Sequence, residues 1–191
     1  MALIRTFIGI KASQRVTSNA ARVISRLESS GADYRWVVEE NLHVTLSFVG
    51  DVKDLETHEL CKLIAGTLRP FRPFDLSLQG VGGFPNSQQP RVLWLGVDEG
   101  AEALREMYDS LSETLHHWGV NKDRKEYIPH MTLGRLKRGG RWNDALLEST
   151  HRLRNHDGGS CQVQEVIVFA SYLDKRGPTY TPMSRIKLTH H

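Results

Sequence analysis

Apolar and polar residues alternate along several short segments of this chain, a pattern of period two that predicts half-buried β-strands. The clearest segment is 42–49, where four apolar residues alternate with His43, Thr45 and Ser47. One face of this strand is apolar, and the other carries an imidazole and a hydroxyl two residues apart. Related patterns predict further strands at 3–10, 34–37, 74–78, 91–97, around His130, at 162–172 and at 179–188.

Apolar residues at helical spacing alternate with these strands along the chain. They predict four helices, at 13–29, 53–68, 101–118 and 142–154. Residues 80–90 and 119–129 are rich in turn-forming or charged residues and are predicted to be loops. Each half therefore has the order β-α-β-α-β, with extra strands at the C-terminus. No glycine-rich phosphate loop follows a strand, so the order is not typical of a parallel nucleotide-binding sheet.

The histidine–threonine pattern occurs twice. His43, Thr45 and Leu46 are repeated 87 residues later as His130, Thr132 and Leu133, and the same offset relates FIGI at 7–10 to WLGV at 94–97. Two matches at one offset indicate an internal duplication. We therefore expect residues 1–191 to form a single bilobal domain with approximate halves 1–88 and 89–191. A pseudo-two-fold axis would then bring the two histidine faces together across one cleft.

The composition is that of an ordinary globular protein, with 39% hydrophobic and 25% charged residues in a chain of 191. It contains no apolar run near the length of a membrane span, and the N-terminus does not match a signal-peptide pattern. The only cysteines are Cys61 and Cys161, and we expect no disulfide and a cytoplasmic location. The net charge of +3 permits a polyanionic partner without requiring one.

Two imidazoles that face each other are suited to acid–base catalysis near neutral pH. One imidazole would take a proton from an attacking water while the other gives a proton to a leaving oxygen, an arrangement suited to phosphate esters. Thr45 and Thr132 share the face of their histidines, and their hydroxyls are candidates to bind phosphate oxygens. Arg135 is a candidate for a charged, bidentate clamp. This scheme requires no metal and no cofactor.

Several of these residues also have simpler explanations. The histidines would then be solvent-facing, the threonines would reflect β-propensity, and Arg135 would be a surface residue. Strict alternation puts Arg135 on the face opposite to His130, so it would have to reach the cleft from the strand end or past Gly134. Its counterpart in the first copy is Phe48, which either stacks on a base or packs in the core. The basic stretches 121–126 and 135–141 either follow an RNA backbone or are solvated loops.

HVTL at 43–46 and HMTL at 130–133 resemble the paired H-x-T-x motifs of the two-histidine phosphoesterase superfamily. The flanking segments NLHVTLSFVGDV, PRVLWLGV, YIPHMTLGR and GPTYTP resemble the bacterial RNA 2′,3′-cyclic phosphodiesterases, also called 2′-5′ RNA ligases. The resemblance runs over nearly the whole chain. Each motif is short, but the two motifs together are highly specific.

This resemblance implies an α+β fold, with two antiparallel sheets lining a central cleft and helices on the outside. It implies hydrolysis of the 2′,3′-cyclic phosphate at an RNA 3′ end, or of a nucleotide 2′,3′-cyclic phosphate, to a 2′-phosphate. His43 would be the proton donor to the leaving 3′ oxygen, and His130 would be the proton acceptor that activates water. Thr45, Thr132 and Arg135 match positions that hold the phosphate.

Other functions remain open from sequence alone. The same cleft would support 2′-5′ RNA ligation or hydrolysis of 2′,5′-linked oligonucleotides. A non-catalytic module that binds RNA ends or nucleotides is the alternative from a different class, and the two intact histidines argue against it. We expect a monomer, because the duplication already supplies both half-sites.

Overall fold

The computed structural model describes residues 2–122, 125–174 and 177–189, which contain nine strands and four α-helices. The strands are β1 (Leu3–Ile10), β2 (Tyr34–Trp36), β3 (Val44–Lys53), β4 (Phe74–Phe84), β5 (Val92–Val97), β6 (His130–Leu136), β7 (Asp157–Val163), β8 (Glu165–Asp174) and β9 (Gly177–Lys187). The helices are α1 (Gln14–Glu28), α2 (Thr57–Leu68), α3 (Ala101–Trp118) and α4 (Asp144–Arg152).

The α+β class is confirmed, and every strand pairing in the described residues is antiparallel. The strand order is β7-β4-β5-β6-β3-β1-β8-β9, with β2 paired to β6. The two sheets that the resemblance implied meet at β3 and β6 through one residue pair, Val44 and Met131, and so form one nine-stranded sheet. This junction lies immediately beside both histidine motifs.

The strand order is symmetric about that junction. Counting outward from the junction, β3 is followed by β1 and β8, and β6 is followed by β5 and β4. In each case the first neighbour begins the motif's own copy of the repeat, and the second comes from the other half of the sequence. The helices are exchanged as well, since α1 packs on β7 and α4 while α3 packs on β3 and α2. The sequence halves 1–88 and 89–191 therefore interlock and do not coincide with the two sides of the sheet. The duplication stays a prediction, and this order supports it.

Both motif strands contain a β-bulge at the same motif position. In the pairing of β1 with β3, consecutive residues of β1 lie opposite Thr45 and Ser47, so Leu46 is the extra residue. Leu133 is the extra residue between β5 and β6 in the same way. Both leucines are buried in the core. Because a bulge shifts the alternation by one residue, side chains beyond it change face.

The register of the neighbouring strands differs between the two motifs. Gly9 lies opposite Thr45, whereas Gly96 lies opposite His130. The two glycines are equivalent in the 87-residue repeat, but they lie opposite different motif positions, the threonine in one copy and the histidine in the other. The two registers therefore differ by two residues. A shift of two preserves the face of each side chain, so both motifs still point to the same side of the sheet.

Most predicted elements are confirmed, and the differences involve glycine. The end of β4 was predicted to be a loop, and β7 was not predicted, because GVGGF and DGGS lack apolar alternation. The strand geometry there is set by neighbouring strands. A Cβ on Gly82 would lie 2.3 Å from the Trp94 ring, and one on Gly158 would lie 2.6 Å from Leu78. Part of the connection between the predicted strands 162–172 and 179–188, and part of the basic stretch 121–126, lie outside the described residues.

The helices pack their apolar faces on the sheet. Helix α3 illustrates this, with four fully buried residues at helical spacing, Leu104, Met107, Leu111 and Leu115. In the described part of the chain, no helix is both long enough and apolar enough to cross a membrane. On the motif strands, Val44, Leu46, Met131 and Leu133 are buried in the core, whereas the histidines and threonines are only partly buried.

Candidate active site

The structure brings the two sequence motifs to the junction of β3 and β6. His43 immediately precedes β3, and His130 is the first residue of β6. The residues that follow them, Val44 and Met131, form the pair that joins the two strands. Two histidines far apart in sequence therefore flank one point in the sheet.

Each imidazole is held by the same backbone contact. Nδ1 of His43 lies 2.6 Å from the carbonyl oxygen of Asn41, and Nδ1 of His130 lies 2.6 Å from that of Ile128. A carbonyl oxygen only accepts hydrogen bonds, so Nδ1 carries the proton in both rings. Nε2 is then the nitrogen that gains or loses a proton during a reaction. In His43, Nε2 lies 3.0 Å from the hydroxyl of Thr45.

The pKa of both histidines lies below the ordinary imidazole value. Burial is the largest cause for each ring, because it disfavours the charged form. The guanidinium of Arg135 lowers both values further, and His130 and Lys11 add to this effect for His43. The carbonyl contacts act in the opposite direction and are outweighed. The free site is thus electropositive and suited to an anion.

Aromatic rings surround His43. Its ring centroid lies 4.9 Å from that of Phe7 and 5.3 Å from that of Tyr180, which meets it edge-on. Phe7 in turn stacks on Phe169 at 4.9 Å. These contacts and the Asn41 carbonyl fix the plane of the imidazole. Tyr180 and Phe7 were not predicted to be site residues, although they lie in the segments GPTYTP and FIGI.

His130 has a matching environment on the other side of the junction. Phe84 meets its ring edge-on with centroids 5.1 Å apart, and Trp94 lies at 6.1 Å. Phe84 falls in the segment that was predicted to be a loop, so its role beside His130 was missed. The extension of β4 through Phe84 is what brings this ring to the site.

The bulges bring Arg135 and Phe48 to the motif face. Thr132 and Arg135 lie opposite Trp94 and Val92, two residues apart on β5, and therefore share a face. Arg135 does not reach this face past Gly134, because the space beside Gly134 is filled by the Trp36 ring, which would lie 2.6 Å from a Cβ at that position. Arg135 reaches the site because Leu133 is bulged.

In the first motif, the bulge at Leu46 places Phe48 on the motif face in the same way. It lies opposite Phe7, two residues from the Gly9 that faces Thr45, so Phe48 and Thr45 share a face. Its side chain is 61% exposed, and its ring centroid lies 6.1 Å from that of Phe7. The alternative that Phe48 packs in the core is therefore wrong. The ring is available to contact a ligand.

A cavity of about 730 Å³ opens beside His130 and Thr45. Its walls are largely aromatic and aliphatic, and they include Phe48, Phe84, Tyr108 and Tyr127. Tyr127 donates a hydrogen bond of 2.8 Å to the carbonyl oxygen of Thr45, and it stacks on Tyr108 with centroids 4.4 Å apart. A smaller cavity of about 40 Å³ adjoins His43 and includes Tyr180. The larger cavity is wide enough for a nucleotide.

Within the described residues, no three or more His, Cys, Asp or Glu side chains are grouped so that they would hold a metal ion. Aromatic rings pack around both histidines on the motif face.

Comparisons with known proteins find the same family by sequence profile and by individual relatives. A sequence profile described as the 2′-5′ RNA ligase superfamily matches residues 16–171. A protein of Methanothermobacter thermautotrophicus named RNA 2′,3′-cyclic phosphodiesterase is 36% identical over 185 residues, which cover 97% of this chain and 99% of that protein. A protein of Aquifex aeolicus with the same name is 30% identical and covers 98% of this chain and 99% of its own length.

Solved structures share the fold. TT0787 of Thermus thermophilus superposes with a TM-score of 0.81 at 23% identity, covering 96% of this chain and 97% of that chain. Escherichia coli LigT in complex with ATP superposes with a TM-score of 0.76 at 26% identity, covering 99% of this chain and 100% of that chain. The arrangement of strands and helices is thus shared over nearly the full length.

Proposed function

Because this chain belongs to the 2′-5′ RNA ligase superfamily, we propose that it is an RNA 2′,3′-cyclic phosphodiesterase. It hydrolyses the 2′,3′-cyclic phosphate at an RNA 3′ end, or a nucleotide 2′,3′-cyclic phosphate, and leaves a 2′-phosphate. The observation that carries this proposal is the matched pair of imidazoles. Both rings keep Nδ1 on a backbone carbonyl at 2.6 Å and leave Nε2 for proton transfer at one junction.

The reaction is an in-line displacement at phosphorus. Water attacks the phosphorus atom, and His130 Nε2 accepts the proton that the water loses. The bond from phosphorus to the 3′ oxygen breaks, and protonated His43 donates its Nε2 proton to that oxygen. The histidines end with exchanged protonation states, and solvent restores them. Positioned acid–base groups of this kind are typically worth about 10²–10⁴-fold in rate each.

Thr45, Thr132 and Arg135 are proposed to bind the non-bridging oxygens of the phosphate. Arg135 lies on the motif face, and its charge already acts on both imidazoles, so an anion that both imidazoles contact is within its reach. Donors fixed in place before the reaction stabilise the charge that builds on the phosphoryl oxygens without reorganising. The exposed ring of Phe48 is proposed to contact the sugar or base of the same nucleotide.

A short RNA with a 2′,3′-cyclic phosphate end tests this function. We expect purified protein to convert it to an RNA with a 2′-phosphate and a 3′-hydroxyl, at the same rate with and without a metal chelator. Chromatography of the untreated product against synthetic RNAs that end in a 2′-phosphate or in a 3′-phosphate identifies the product, since a phosphatase would remove both groups. A 3′-phosphate product would reverse the proposed leaving group, and the absence of any product would contradict the proposed activity.

The pH dependence provides a separate prediction. His43 must be protonated and His130 neutral, and both pKa values are lowered in the free site. Activity falls at low pH as His130 gains a proton and at high pH as His43 loses one, so kcat/KM peaks on the acid side of the ordinary imidazole pKa. A bound phosphate offsets the positive charge and raises both values, so kcat peaks at higher pH. The prediction would be contradicted if the optima of kcat/KM and kcat both lay above pH 7, or if kcat peaked at lower pH than kcat/KM.

A monomeric state and a cytoplasmic location are part of the proposal. One chain contains both histidine motifs, so a second copy is not needed to complete the site. Both cysteines are free thiols, which fits a reducing compartment. Sedimentation of the active enzyme at working concentration tests the first point.

A further inference from the structure

Two arginines lie directly opposite each other near the site. In the antiparallel pairing of β2 with β6, Arg35 is the partner of Arg135. Directly opposed residues share a face, with Cβ atoms about 5 Å apart, and like charges at such positions are destabilising. This arrangement therefore costs stability unless a negative charge lies between or above the two guanidinium groups.

The face on which Arg35 lies follows from the register of four strands. Phe84 pairs with Val92, Val92 pairs with Arg135, and Arg135 pairs with Arg35, so all four side chains form one row on one face. Phe84 and Val92 line the large cavity beside His130. Arg35 is therefore on the substrate side of the sheet, at the outer end of this row.

The positive charge of this pair is not neutralised within the described part of the chain. Both arginines are exposed, and the ion pairs found between described residues involve other side chains. Asp33, the acidic residue closest in sequence to Arg35, accepts a hydrogen bond from the backbone amide of Arg141 instead. The two guanidinium groups thus present a double positive charge to whatever enters the cleft.

We propose that Arg35 binds the phosphodiester one nucleotide upstream of the reacting cyclic phosphate, an inference that rests on the proposed function. Arg135 lies on the motif face, and among the described arginines it alone acts electrostatically on both histidines, so we assign it to the reacting phosphate. Arg35 stands one residue pair farther out along the same row. A guanidinium there matches the next phosphate of an RNA strand and has none to bind in a mononucleotide.

With this assignment, Arg35 favours substrates that have at least one phosphodiester upstream of the cyclic phosphate. A nucleoside 2′,3′-cyclic phosphate contains only the reacting phosphate, and a dinucleotide with the same end adds one phosphodiester. Replacing Arg35 should affect the second substrate and not the first. Added salt weakens the binding of each phosphate by a charged side chain. Loss of the Arg35 contact should therefore also make dinucleotide affinity less dependent on salt.

The test compares Arg35→Gln with the wild type on both substrates. We expect kcat/KM for the dinucleotide to fall roughly tenfold, mainly through KM, since a charge-assisted contact to phosphate is lost. Dinucleotide affinity should become less dependent on salt, and kcat/KM for the mononucleotide should not change. Arg35→Lys should recover part of the loss. Arg26→Gln, at an exposed position in the last turn of α1, is the matched control.

Other outcomes would overturn the assignment. An equal loss on both substrates would place Arg35 at the reacting phosphate, and no loss on either would mean that it binds no phosphate. Binding of the corresponding mono- and dinucleotide 2′-phosphates, measured by calorimetry, applies the same comparison without turnover. If wild type shows no turnover yet Arg35→Gln weakens only the dinucleotide, the proposed reaction fails and the subsite stands. The melting temperature should stay the same or rise, because like-charge repulsion is relieved.

Discussion

Alanine in place of His43 or His130 is expected to lower kcat for cyclic phosphate hydrolysis by about 10²–10⁴-fold, with a small effect on KM. Each imidazole acts on a proton that moves only in the transition state, so its loss raises the barrier more than it weakens substrate binding. Both variants should fold, because each ring occupies a pocket open to the cleft and its backbone carbonyl contact can be replaced by water. Steady-state kinetics and thermal melting check both parts.

The double variant refines this expectation. Two residues that act in one concerted step are not additive, so His43→Ala combined with His130→Ala should be little slower than the more damaging single change. His58→Ala is the matched control, since His58 is an exposed histidine on α2 away from the sheet junction. If either single variant kept nearly the wild-type kcat, the two-histidine mechanism would be wrong for this protein.

The two histidines have nearly the same local geometry, so their roles must be separated by chemistry. A substrate with sulfur in place of the 3′ oxygen has a leaving group that needs no proton. On that substrate, His43→Ala should regain most of its lost rate, whereas His130→Ala should stay as slow as before. The opposite result would exchange the acid and base assignments. Equal recovery by both would mean that neither is a dedicated acid.

The strand pattern of the sequence predicts the histidine face but not the full site. Alternation around His43 and the repeat at His130 place imidazole and hydroxyl on one face of two equivalent strands. The same alternation puts Phe48 and Arg135 on the opposite face, which is wrong. A bulge depends on the register of a neighbouring strand, so nothing within 42–49 alone indicates that Leu46 is an extra residue.

The surroundings of the site depend on contacts that are remote in sequence. Tyr180 reaches His43 because its strand, β9, pairs with β8, which in turn pairs with β1. Phe84 reaches His130 because β4 pairs with β5, a strand of the other sequence half. Helix α1 and helix α3 each cover strands of the other half. Local pattern reveals where strands and helices begin, but this exchange follows from the packing of the complete chain.

Substitution of Arg135 by glutamine is expected to lower kcat by about 10²–10³-fold, since a fixed cation that stabilises the charge on the phosphoryl oxygens is lost. Lysine at the same position should recover only part of the rate, because it lacks the planar fork that binds two oxygens. Steady-state kinetics on the cyclic phosphate substrate measures both changes. Arg138→Gln is the control, as Arg138 is an exposed arginine just beyond the end of β6.

The same substitution should also move the pH profile, and the direction is fixed by electrostatics. Arg135 lowers the pKa of both His43 and His130, so its removal raises both values toward the ordinary imidazole range. The optimum of kcat/KM should therefore shift to higher pH in Arg135→Gln and stay in place in Arg138→Gln. A rate loss without this shift would mean that Arg135 acts away from the histidines. A shift with the rate unchanged would mean that it perturbs their titration but does not bind the reacting phosphate.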